Sequence, residues 1–247
     1  MRKINLVPMA GEGKRFLDEG YKTPKPLIKI NGIPMFVLAA KALPKADLYI
    51  FICLKKHVKK FKINKVIKSF FPKSKIIILD KITNGQAVTC LKAEKFLKKD
   101  DILTIGACDN GMHYSQKIIN NKINKSDLVI WTFKNNKTVS ENPNMYGYVK
   151  TKKPDNAIFV SCKKTISKAP GNDHTIIGAF SFKKAETFLK FSKDLIKQNK
   201  RINKEFYLDS VAKLCVSSKL IVKVNLVNKY IGWGTPSDLT NNKTIKN

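Results

Sequence analysis

The chain has 247 residues, 48 lysines and arginines against 18 acidic residues, a formal charge of +30 and an apolar fraction of 43%. That is enough apolar matter for one sizeable core, and no apolar run is long enough to cross a membrane. The charge invites a nucleic-acid or anionic-membrane partner, but Arg2, Arg15 and Arg201 are the only arginines and the lysines are scattered among abundant Asn and Ile, a compositional drift over a solvated surface rather than a dedicated polyanion face.

In chain order, residues 4–9 read as a strand, 34–43 as a helix, 48–54 as a strand and 58–70 as a helix. Residues 76–79 follow as a strand, 86–97 as a helix and 102–107 as a strand. Such β-α-β alternation predicts a mainly parallel sheet covered by helices, with ligands gathering beyond the carboxyl ends of the strands. The second half is less regular: 128–133, 146–150, 157–161 and 176–182 read as strands, 185–199 and 205–216 as helices, and 220–227 as a late strand. Polar stretches at 134–144 and 163–173 read as loops. One α/β domain over 1–240 is expected, with a nucleotide-binding half at 1–125, an acceptor-binding half at 126–240 and a frayed tail at 241–247.

Cys53, Cys90, Cys108, Cys162 and Cys215 are odd in number, lie mostly in apolar runs and show no Cys-x-x-Cys spacing. Free buried thiols in a reducing compartment are expected. The apolar stretch near the N-terminus is too short and too soon charged for a signal peptide, so the expected location is the cytoplasm.

The most informative segment is Pro8-Met9-Ala10-Gly11-Glu12-Gly13-Lys14-Arg15-Phe16, followed by Pro24-Lys25-Pro26-Leu27. Glycines let backbone N–H groups approach phosphate oxygens, and Arg15 and Lys25 supply neutralising charge between them. A P-loop would need Ser or Thr after Gly-Lys, where Arg15 stands. A dinucleotide fingerprint would need a small residue in place of Phe16 and an acid near position 36, which is Phe. The combination of Gly-x-Gly-x-Arg-Phe with a Pro-Lys-Pro box resembles the sugar-phosphate nucleotidylyltransferases, often called nucleotide-sugar pyrophosphorylases. That resemblance implies a Rossmann-like, GT-A type three-layer α/β domain with a mixed, mainly parallel sheet.

The resemblance continues along the chain. It implies that Ala10, Gly11 and Gly13 hold the triphosphate, that Arg15 and Lys25 are catalytic, and that Asp109, after the 102–107 strand, binds Mg²⁺. Asn84-Gly85-Gln86-Ala87 resembles the stretch that meets the nucleobase, which puts Gly85 and Gln86 on the nucleotide. Tyr146-Gly147-Tyr148 resembles the strand lining the acceptor pocket, and Ser161-Cys162-Lys163 its Glu-Lys box with Cys162 in place of the acid; Gly147 and Lys163 are then acceptor-binding. Gly232-Trp233-Gly234-Thr235-Pro236 is similar to a late Gly-Thr-Pro box, but lacks the second metal-binding Asp that many members carry just before it. Either Asp209 supplies that contact, or Asp109 and the phosphates hold the metal largely alone.

The expected activity is coupling of a nucleoside triphosphate to a phosphorylated sugar or similar phosphate monoester, with Mg²⁺ and release of pyrophosphate. Such a nucleophile is already anionic at neutral pH, so no general base is needed, and His57, His113 and His174 show no ligand spacing. The alternatives are a silent nucleotide-binding protein, given the departures at Cys162 and Gly232, and a glycosyltransferase using a nucleotide-sugar donor. No nucleic-acid or membrane partner is expected, and a homo-oligomer is left open.

Overall fold

A computed structural model describes residues 1–152 and 154–242. The tail expected at 241–247 lies outside the described residues from 243 onward. Elements follow in the order β1 (Lys3–Met9), α1 (Lys14–Asp18), β2 (Lys29–Ile30), β3 (Ile33–Pro34), α2 (Met35–Lys41), β4 (Leu48–Leu54), α3 (Lys55–Phe61), α4 (Ile63–Phe70) and β5 (Lys75–Leu79). Then come α5 (Gln86–Leu91), β6 (Ile102–Ile105), β7 (Asn110–His113), α6 (Gln116–Asn124), β8 (Leu128–Phe133), α7 (Lys137–Glu141), β9 (Tyr148–Lys152) and β10 (Asn156–Ser161). The chain closes with β11 (His174–Phe182), α8 (Ala185–Lys197), α9 (Leu208–Ser217), β12 (Val222–Leu226), β13 (Lys229–Gly232) and α10 (Pro236–Asn241).

Nine strands form one sheet in the order β5-β4-β1-β6-β11-β8-β12-β10-β9, drawing on both halves of the chain. β5, β4, β1 and β6 pair in parallel, as do β8 and β12, whereas β11 and β10 run against their neighbours. Side chains of a strand alternate between faces, and β1 shows the consequence. Ile4 and Leu6 enter one core with α5, α8 and α9, while Val7 and Met9 enter another with α2, α4 and α6. Three layers result, with Trp131, Phe51, Phe133, Phe180 and Phe182 all fully buried in the two cores.

A third, smaller core joins the two ends of the chain. Phe16, Ile28 and Met35 pack with Ile231, Trp233 and Leu239, so the glycine loop is anchored to the Gly-Thr-Pro box.

Several elements differ from the sequence expectation. The helix expected over 58–70 is two helices, broken at Lys62, which adopts the left-handed conformation (φ 51°) and caps α3. The helix expected over 86–97 ends as α5 at Leu91, with a 3₁₀ turn at Glu94–Phe96. That expected from 205 starts at Leu208, because Phe206 is held extended by backbone hydrogen bonds from its N–H to Asn84 O (2.8 Å) and from Ala87 N–H to its carbonyl (3.0 Å). The 134–144 loop contains α7, and α6 and the antiparallel pair β7–β13 were not expected at all.

Candidate active site

The glycine loop leaves β1 at the carboxyl edge of the parallel strands, and the segment after β6 leaves the same edge. This neighbourhood brings Lys25 to Asp109: the Nζ donates to Oδ2 at 2.6 Å, with each side chain 21% exposed. Pro24, with ψ 138°, and Pro26 fix the backbone around Lys25, which opens a 3₁₀ turn. Burial works against the Lys25 charge, but Asp109 outweighs it and the net pKa is raised. The lysine is therefore a fixed cation at any physiological pH.

Two glycines of the loop do different things. Gly13 is left-handed (φ 68°), and a Cβ there would lie 3.2 Å from Lys25 Cβ, so its bareness lets the Pro-Lys-Pro segment cross close by. Gly11 has no atom within 4 Å of where its Cβ would be, so its open face is turned to space rather than to protein.

Two adjoining compartments meet at this point. One is lined by Ala10, Gly11, Gly13, Lys25, Gly85 and Gln86, with Thr83 and Glu205. The other is lined by Arg15, Gly147, Lys163, Tyr146, Tyr207 and Asp209. Gln86 and Asp109 line both, and so form their common wall. Every residue given a nucleotide, acceptor, catalytic or metal role from the sequence lines one of these two surfaces, with Arg15 on the side of Gly147 and Lys163.

Gly85 has a structural duty of its own. With φ 114°, it lies against the Phe206 backbone, and a Cβ would come within 2.6 Å of Phe206 O. Its bareness admits a neighbouring chain segment, which shapes the floor where Gln86 starts α5. Thr83 and Thr89 share a hydroxyl hydrogen bond of 2.6 Å beside it. Sequence reasoning missed Thr83, which belongs to no local motif, and gave no role to Glu205, which reaches the compartment through the pairing of residues 84–87 with Phe206.

The Gly-Thr-Pro box sits on Asp109. Trp233 N–H donates to the Asp109 carbonyl at 2.8 Å, and a Cβ at Gly234 would lie 3.4 Å from Asp109 Oδ2. Thr235 and Asp238 cap α10 reciprocally: the Asp238 N–H donates to Thr235 Oγ1 at 3.0 Å and the Thr235 hydroxyl to Asp238 Oδ2 at 2.8 Å. Asp209 lines the same compartment, its carboxylate over bare Gly147, where a Cβ would lie 2.5 Å from Oδ2. Among the described residues no three His, Cys, Asp or Glu side chains are grouped to hold a metal ion. Asp109 could hold Mg²⁺ together with ligand oxygens, since Mg²⁺ is commonly held by one or two carboxylates, substrate phosphates and water.

The site holds no activated nucleophile. Burial pushes the Cys108 thiol up to about 12 and the Cys162 thiol likewise to about 12, so both stay protonated. All five cysteines are free and buried. His174 Nδ1 pairs with Thr132 Oγ1 at 2.9 Å inside the sheet, and burial depresses its pKa to about 4. What remains is a pair of surfaces able to bind anions and position them.

No family model matches the sequence, and no curated protein matches it by sequence. Solved structures do match by shape. A nucleoside-diphosphate-sugar pyrophosphorylase from Vibrio cholerae RC9 superposes with a TM-score of 0.79 at 19% identity, over 96% of this chain and 98% of its own. This chain has that fold. A UDP-glucose pyrophosphorylase complexed with UDP-glucose gives 0.75 at 16% identity, over 98% and 97% of the two chains. The inositol-1-phosphate CTP transferase from T. maritima gives 0.71 at 14%, over 96% and 91%. The pyrophosphorylase fold is thus shared end to end, as the opening motif and its successors imply. No described helix is long and apolar enough to cross a membrane.

Proposed function

We propose that this protein is a nucleotidyltransferase, coupling a nucleoside triphosphate to a phosphorylated sugar or similar small phosphate monoester and releasing pyrophosphate. The observation that carries the reading is the pair of compartments with Gln86 and Asp109 as their common wall. Two anionic substrates seated on either side would meet there, and effective concentration is what such a reaction needs most. The nucleotide lies along the 10–13 loop, with Lys25 neutralising charge that gathers on the phosphates. Gln86 and the Gly85 backbone face the nucleobase. Arg15 and Lys163 hold the acceptor phosphate, aimed in line at the α-phosphorus. Asp109 with phosphate oxygens would hold Mg²⁺, which screens phosphate charge when bound.

The fold shared with pyrophosphorylases supports this reading, as do the motif order and the absence of any activated side-chain nucleophile in the site. The free, buried cysteines accord with a cytoplasmic location, and one sheet built from both halves accords with a single domain over 1–240. Scattered lysines argue against a nucleic-acid partner.

The test is pyrophosphate release with Mg²⁺, each of CTP, UTP, dTTP, GTP and ATP being paired with sugar 1-phosphates, inositol 1-phosphate and choline phosphate. At least one pair is expected to react, and Asp109→Ala to slow it by on the order of 10²-fold. Folded protein that releases pyrophosphate from no pair would refute the proposal, and turnover of a nucleotide sugar alone would favour a glycosyltransferase.

A further inference from the structure

Between α6 and the start of β12 lies a cavity of about 500 Å³, lined by Lys117, Lys122, Lys125, Lys223 and Asp155. None of these residues lines either compartment of the candidate active site. Side chains alternate along β12: Val222 and Val224 enter the core shared with α8 and α9, so Lys223 and Asn225 stand on the opposite face, the one α6 covers. Asp155, just before β10, joins two lysines: Lys223 Nζ donates to Oδ1 at 2.8 Å, and Lys122 Nζ lies 3.0 Å from Oδ2. Lys122 Nζ also donates to the Val224 carbonyl at 2.6 Å. The side chains of Lys122, Lys223 and Asp155 are 19%, 20% and 16% exposed. Two ammoniums thus share one carboxylate, and positive charge is left uncompensated where water is partly excluded, which is costly. Two residues on along the same face, Asn225 is buried and its Nδ2 has no hydrogen-bond partner among the described residues, a further surplus donor. Compositional drift accounts for lysines on a solvated surface, but not for two held under a helix with donors in excess of acceptors.

We propose that this cavity is a separate anion site, taking a small molecule with two or more phosphate groups. Lys122 and Lys223 are its inner cations, and Lys117 and Lys125, both exposed, its outer ones. The outer pair lies eight residues apart on one stripe of α6, about 12 Å along the axis, a span that suits linked phosphates better than one. Four lysines face one aspartate among the described lining residues, a surplus matched by a multiply charged anion rather than by a single charge. Ammoniums are point charges that can meet phosphate oxygens from several sides, whereas a planar carboxylate is best met by the guanidinium fork, which this cavity lacks. The inference is independent of the nucleotidyltransferase reading, because the two sites share no residue.

Binding is followed on the full chain by hydrogen–deuterium exchange, which reports where protection falls, and by calorimetry. Pyrophosphate and tripolyphosphate are the probes, with inorganic phosphate, citrate and an oligonucleotide as contrasts. Both polyphosphates are expected to slow exchange at residues 116–125 and 222–226, at lower concentration than inorganic phosphate or citrate. Lys117→Ala combined with Lys125→Ala should raise the concentration needed about tenfold or more, whereas Lys190→Ala combined with Lys197→Ala, which removes the same charge from α8, should leave it within about twofold. Asp155→Asn should lower it, since the carboxylate that competes for the two inner ammoniums is gone; an ion cluster that serves only the fold would show no such gain. Where Asp155→Asn fails to fold, the exposed pair Lys117 and Lys125 decides the matter. Protection confined to other segments, equal losses in the two double variants, preference for citrate, or protection of residues 116–125 by the oligonucleotide alone would overturn the inference.

Discussion

Lys25 and Asp109 neutralise each other at 2.6 Å, so the charges proposed to handle phosphates hold one another in place. Replacing the lysine by an apolar chain of similar length isolates its electrostatic part. Lys25→Met is expected to lower kcat by on the order of 10²-fold while moving the thermal midpoint by only a few degrees, to be checked by steady-state rates beside calorimetric scans. Asp209 makes a prediction of another kind. Burial raises its pKa from an ordinary 3.8 to about 6, although Lys163 and the Cys162 thiol pull the other way. The folded state therefore binds this proton more tightly than the unfolded chain does, and the group withdraws stability as pH climbs from about 4 through 6. Asp209→Asn should accordingly be more stable than the parent by on the order of 2 kcal/mol at pH 7.5, with the advantage fading toward pH 4. Urea titrations across that range that show parallel curves for the two proteins would contradict the raised pKa. At this scale the sequence was most legible where the site is contiguous. Ala10 to Lys25 form one local motif, whereas Glu205 reaches the nucleotide compartment only through long-range pairing with the 84–87 segment, which the sequence does not show.

Elements show how conformation rather than composition places the site. Gly85 both turns left-handed and lies under the Phe206 backbone, so Gly85→Ala combines strain with overpacking and is expected to cost about 2 to 4 kcal/mol, measured by denaturant unfolding. Among helices, α4 has a clear amphipathic face with Ile63 and Ile67 buried, and periodicity made the 58–70 region readable as helical. The break at Lys62 was not readable, since a lysine in the left-handed conformation carries no compositional mark. Similarly α6, QKIINNKIN, buries only Ile119 and Ile123, too thin a stripe to stand out against polar neighbours. β7 begins with Asn110-Gly111, a dipeptide that favours a turn. Its partner is β13, from the far end of the chain, and a pairing of that separation leaves no local trace.

For the whole molecule, alternation of short apolar runs with amphipathic stretches was enough to give a mainly parallel sheet covered by helices, and the family resemblance implied three layers and a mixed sheet. The reversed strands β11 and β10 were beyond that reasoning, as strand direction depends on connections rather than on side-chain pattern. The +30 charge acts at this scale too. Its field draws polyanions toward the protein, so KM for the nucleoside triphosphate should rise severalfold between about 0.05 and 0.5 M salt, with kcat much less affected, as initial rates at each ionic strength would show. The small core that unites Phe16 and Ile28 with Ile231, Trp233 and Leu239 also sets an order of events during synthesis. The glycine loop emerges from the ribosome well before the residues that clamp it. Until then Phe16 has no partner from the far end, and Asp109 lacks the Trp233 backbone donor. Nascent chains stopped before β13 should therefore build most of the sheet and still bind no nucleotide, so that competence arrives as a late, single step of maturation.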